Sequence, residues 1–85
     1  MLRRRLEQSI IISAQEGPNE EPITLLGHEL GEESLAFRCF APLDTAAMWS
    51  LQLRFWDRTV RTQARVTELR PYNGGWDGVM LFFRA

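Results

Sequence analysis

Apolar and polar residues alternate with a period of two along much of this chain, most cleanly in its second half. Over residues 48–56, Trp49, Leu51, Leu53 and Phe55 share one face, while Ser50, Gln52 and Arg54 share the other. That is the pattern of a half-buried strand. Over 60–67, Val60, Thr62, Ala64 and Val66 alternate with Arg61, Gln63, Arg65 and Thr67, which predicts a second strand with guanidinium groups on its outer face. Trp56-Asp57-Arg58-Thr59 would be the hairpin turn between them. Over 34–40 the inward set is Leu35, Phe37 and Cys39, with Arg38 pointing away. Less regular strands are predicted over 9–14 and 24–30, and 79–84 is apolar on both faces, as in a strand covered on two sides.

The connections carry turn chemistry: Gly17-Pro18-Asn19, Gly31-Glu32-Glu33 and Asn73-Gly74-Gly75. Residues 43–48 alone look helical, one short turn that Asp44 or Thr45 would cap. So few strands bury too little area and leave exposed edges unless the sheet curls closed. The expected architecture is therefore all-β: a six-stranded antiparallel barrel with one short helical turn. Residues 1–85 make a single domain, with 1–8 an arginine-rich leader and 9–84 the barrel; the polar stretch 16–21 is a loop inside it. An apolar fraction of 45% with 25% charged residues is enough for such a chain to fold rather than stay disordered.

Cofactor, metal and nucleophile chemistry find little to work with. Cys39 is the single cysteine and His28 the single histidine, so neither a disulfide, a ligand cluster nor a nucleophile–base pair can be assembled from them. Glu29, Glu32 and Glu33 fall at a strand end and turn, where solvated acids are commonplace. Catalysis is not expected, and no cofactor is. No apolar run has the length of a membrane span, and Glu7 and Gln8 interrupt what would otherwise begin like a signal peptide, so a cytoplasmic protein without membrane insertion is expected.

Charge supplies the first hint of binding. The net charge is −1, but the signs are segregated: six Glu and no Arg between positions 16 and 33, then six Arg against Asp44, Asp57 and Glu68 between 38 and 70. Every basic residue is Arg, the side chain suited to bidentate recognition of phosphate or carboxylate, although compositional bias alone would produce the same absence of Lys. Arg3, Arg4 and Arg5 precede the first strand on a segment expected to be mobile and able to close over an anionic ligand.

The order of parts resembles the PilZ domain family, bacterial receptors for cyclic di-GMP built on a six-stranded barrel. An arginine-rich leader runs into a strand, a loop and a second strand ending in the turn Glu29-Leu30-Gly31-Glu32-Glu33-Ser34; an apolar strand, a helical turn, a long hairpin and a final strand with Gly78-Val79 and Phe83 follow. The likeness spans residues 3–83. It implies that an RxxxR leader and a [D/N]xSxxG turn grip the dinucleotide. Arg3, Arg4 and Arg5 stand for the first arginine, but the positions four residues on are Glu7, Gln8 and Ser9. In the turn an acid remains at Glu29, while Gly31 replaces the serine and Ser34 the glycine. Losing one guanidinium removes charge-assisted bonds worth roughly 1.5–3 kcal/mol each.

The degenerate ligand set is thus Arg3, Arg4, Arg5, Glu29, Gly31 and Ser34. The expected function is that of a PilZ-like adaptor in cyclic di-GMP-related signalling with weak or lost nucleotide binding, its partner a protein of a motility, secretion or exopolysaccharide system. Two alternatives stay open: a working cyclic di-GMP receptor that uses the leader arginines, and a small barrel that binds single-stranded nucleic acid through Arg54, Arg58, Arg61 and Arg65. A slightly acidic chain speaks against the last. Partner binding is expected from Tyr72 and Trp76 near the final hairpin, with Arg61 and Arg65 as a charged rim, unless Trp76 plugs the barrel end instead.

Overall fold

The computed structural model describes residues 3–83, with Arg3 through its backbone alone; the first two leader residues and Arg84 lie outside the described residues. The strands are β1 (Arg3–Gln15), β2 (Ile23–Gly31), β3 (Ser34–Cys39), β4 (Met48–Arg54), β5 (Thr59–Tyr72) and β6 (Gly75–Phe82). They form a closed barrel in the order β1-β2-β3-β6-β5-β4, with every neighbouring pair antiparallel. Closure comes from β1 against β4, Ile11 opposite Arg54 through Gln15 opposite Ser50.

Period-two alternation decides what fills the interior. Trp49, Leu51 and Leu53 of β4 are buried, as are Leu35, Phe37 and Cys39 of β3 and Ala64 and Val66 of β5, while Ser50, Arg54, Arg61 and Arg65 face solvent. Trp49 also satisfies its indole N–H, which donates to the Asp44 carbonyl at 3.0 Å. Phe37 sits at the centre, opposite Gly27 on one side and Gly78 on the other. A Cβ at Gly78 would lie 2.7 Å from Phe37 Cζ and 2.8 Å from the Glu68 carbonyl oxygen, so that position has room for hydrogen alone.

Closure involves only part of each long strand. Residues 11–14 of β1 are paired on both sides, whereas 3–5 and 10 are laddered to β2 alone; likewise 68–72 of β5 are laddered to β6 alone. The two arms flank an open outer surface. Their edges are blunted by charge, by Pro71, which has no N–H to offer, and by irregularities in register between Arg5 and Ile10 and between Val66 and Glu68.

Several expectations need correction. The leader is not a mobile tail: from Arg3 onward it is strand, because its backbone finds donors and acceptors in residues 29–31 of β2. The strand expected over 79–84 begins earlier, at Gly75. β5 runs to Tyr72, β6 starts at Gly75, and the turn is Asn73-Gly74, whose φ values of 45° and 78° are the pair of positive angles a two-residue hairpin of type I′ requires. Between β3 and β4 the helical turn is a hydrogen-bonded turn at residues 45–46, where Asp44 Oδ1 accepts from the Ala46 N–H at 2.8 Å. β6 is covered on one face, not two, since Met80 is buried but Leu81 is exposed.

Candidate binding surface

One row of outward residues crosses four strands: Leu26 of β2 opposite Arg38 of β3, Arg38 opposite Asp77 of β6, and Asp77 opposite Arg70 of β5. His28 joins it as the unmatched residue of β2 between Gly27 and Glu29, facing residues 6–9 of the β1 arm. Three nitrogen-bearing side chains converge on one carboxylate. His28 Nε2 is 3.1 Å from Asp77 Oδ1, Arg38 Nε is 3.8 Å from the same oxygen, and Arg70 Nη2 is 3.6 Å from Oδ2. The arginine distances exceed hydrogen-bond range, so those contacts are Coulombic and solvent-screened. Glu29 Oε2 approaches His28 Nδ1 at 3.8 Å.

This cluster is the floor of an open groove of about 650 Å³ between the two arms, lined by Arg5, Glu7, His28, Glu29, Arg38, Arg70, Tyr72 and Asp77 among others. Among the described residues, its lining includes three arginines, Arg5, Arg38 and Arg70, and three acids, Glu7, Glu29 and Asp77. Its chemistry is that of a polar, mixed-charge surface. Among the described residues no group of three His, Cys, Asp or Glu side chains is placed to hold a metal ion.

The leader and the turn do come together, with Arg3 opposite Gly31, Arg4 opposite Leu30 and Arg5 opposite Glu29. Ser34 does not face that groove. It is 2% exposed, and its hydroxyl has no hydrogen-bond partner among the described residues. Tyr72 and Trp76 share a smaller groove of about 210 Å³ beside the hairpin, with Leu26, Arg38, Phe40 and Gly75. Trp76 is half-buried, packs against the core and also lines this groove. Arg61 lies elsewhere, in a groove with Ser13, Gln52 and Gln63, and Arg65 is opposite Met48 and Leu81; neither stands beside Tyr72. Of the other expected arginines, Arg58 lies 5.8 Å from the Phe55 ring centroid.

Phe40, Leu26 and Asp77 were not among the expected site residues. Phe40 was within reach of sequence reasoning, because alternation through Phe37, Arg38 and Cys39 puts position 40 on the outer face with Arg38. It is 88% exposed. Cys39, next to it, is buried, which pushes its thiol pKa up, and its Sγ donates to the Ala41 carbonyl at 3.1 Å.

Closed topology and blunted arms define a small antiparallel six-stranded barrel with a mixed-charge groove on its outer surface. Among solved structures, the chain is similar to the Bacillus subtilis inhibitor of motility, MotI/DgrA, with a TM-score of 0.78 and 15% identity over 99% of this chain. It spans 43% of that protein's chain. No protein-family model matches, and no curated relative does.

Proposed function

We propose that this domain is a PilZ-like module of bacterial cyclic di-GMP-related signalling that acts as a protein-binding adaptor, with nucleotide binding weak or lost. The observation that carries the reading is the balance of charge in the large groove. Near a protein surface, unit charges about 4 Å apart interact with about 4 kcal/mol, so a carboxylate facing a phosphate offsets what one guanidinium contributes. Arg5, Arg38 and Arg70 sharing a groove favour the receptor alternative, but Glu7, Glu29 and Asp77 line it with them and bring as many negative charges. The fold likeness to a protein named for inhibiting motility supports a regulatory role, with a protein partner in such a system.

Isothermal titration of cyclic di-GMP into the chain at moderate salt tests the reading. No saturable heat at low micromolar nucleotide is expected, and the combined change Gln8→Arg, Gly31→Ser and Ser34→Gly should bring binding up. Tight binding by the unmodified chain would overturn the adaptor assignment.

A further inference from the structure

The turn between β4 and β5 holds the most exposed large apolar side chain among the described residues: Trp56 is 97% exposed. Turns ordinarily carry small or polar residues, and a ring this open contributes almost nothing to folding. The turn itself is braced. The Phe55 N–H donates to the Arg58 carbonyl at 2.8 Å, the Phe55 ring packs against the core, and the Arg58 guanidinium carbon lies 5.8 Å from that ring's centroid. Trp56 is therefore a knob on a fixed support, and little backbone ordering opposes its burial against another surface.

A hole of matching size lies at the other end of β5. The groove beside the Asn73-Gly74 hairpin, at about 210 Å³, falls below the roughly 300–1,000 Å³ of a drug-sized ligand site, so it suits one large side chain. Leu26, Phe40, Tyr72 and Trp76 give it an apolar wall, and Phe40 is 88% exposed. β5 starts at Thr59, just after the Trp56 turn, and ends at Tyr72 in that wall, so the knob stands far from the hole of its own chain. Charge does not choose the occupant. Arg38 in the lining has Asp77 at 3.8 Å, and Asp57 and Arg58 adjoin Trp56 in sequence, so neither side confronts the other with a field of one sign.

We propose that the chain associates with itself head to tail, Trp56 of one copy entering the groove of Leu26, Phe40, Tyr72 and Trp76 on the next. This goes beyond the adaptor reading and does not depend on it. The second copy is selected because one chain leaves both halves of the contact open. Seating the knob in the hole covers Trp56 and Phe40 together, the two most exposed large apolar side chains among the described residues, whereas a foreign occupant of the groove leaves Trp56 bare. Knob and hole are different patches, so the contact is heterologous, and assembly grows by addition instead of stopping at a two-fold dimer. An aromatic knob buries on the order of 150–250 Å², far less than the roughly 1,200–2,000 Å² of a stable interface. Association is therefore weak and calls for high concentration.

The test is sedimentation equilibrium of the full chain over a series from about 10 μM to about 1 mM, the range in which so small a contact is expected to associate. Weight-average mass should rise steadily with concentration and pass twice the monomer mass without levelling there. Trp56→Ser and Phe40→Ser should each keep the chain monomeric across the series with thermal unfolding unmoved, since both rings are exposed. Leu26→Ser, on the same wall, takes the place of Phe40→Ser if that change alters unfolding. Mixing the variants gives the sharpest result. Trp56→Ser keeps the hole and Phe40→Ser keeps the knob, so their equimolar mixture should climb toward the dimer mass and no further. A chain monomeric throughout, as it would be with a foreign protein as the groove's occupant, overturns the proposal. So does a mass that levels at the dimer, association that survives either change, or a mixture that stays monomeric.

Discussion

Gly27, Phe37, Gly78 and Leu69 form one cross-strand row of the barrel, and Leu26, Arg38, Asp77 and Arg70 form the next, one residue along in each of the same four strands. The backbone ladder is shared, but the faces are opposite. In the first row the ring of Phe37 fills the space that a side chain at Gly78 would need, so the identities are constrained by volume. In the second, the arginine contacts to Asp77 are 3.6 and 3.8 Å long and come from exposed guanidinium groups to a half-buried carboxylate, so folding asks less of them. Chemistry can therefore be chosen on the outer row without disturbing the inner one.

The largest effect should come from Phe37→Ala. Emptying the centre is expected to cost about 3–5 kcal/mol, a large part of the stability of a small domain, measured as a lower urea midpoint; a loss under about 1 kcal/mol would mean that the inner row is not the keystone described. Gly78→Ala comes next, at about 1–3 kcal/mol from overpacking against Phe37 and the Glu68 carbonyl. An unchanged midpoint would show that the strand gives way freely there.

Ser34→Ala probes an interior position where polarity, not volume, is out of place. Removing a buried hydroxyl that lacks a partner should be neutral or stabilise by up to about 1 kcal/mol, and a clear loss of stability would reveal a partner for it. Asp77→Asn, on the outer row, should change stability by no more than about 1 kcal/mol, since screened surface pairs contribute little. A larger loss in thermal unfolding would place Asp77 with the inner row in importance.

The same contrast separates what could be read from the sequence from what could not. Trp49, Leu51 and Leu53 against Ser50, Gln52 and Arg54 announce a strand and its faces, because one side is buried and the other wet. Arg3, Arg4 and Arg5 announce nothing of the kind: their strand rests on backbone pairing with residues 29–31, which leaves no side-chain signature. Gly75 reads as a turn residue, yet it opens β6, where the Cys39 carbonyl comes too close for a Cβ. Arg38 could be placed outward by parity. That Leu26, Asp77 and Arg70 would stand in its row depends on the register of three strand pairs, and register between strands distant in sequence is set by the whole barrel.

The central claim is that the carboxylates opposite Arg5, Arg38 and Arg70 keep this surface from being a nucleotide site. Parallel calorimetric titrations of the unmodified chain and of Asp77→Asn with cyclic di-GMP, at two salt concentrations, test it most directly. The unmodified chain should show little or no binding, while the variant, left with three guanidinium groups against Glu7 and Glu29, should gain binding that fades as salt rises. Tight binding by the unmodified chain, or a variant that gains nothing, would contradict the claim.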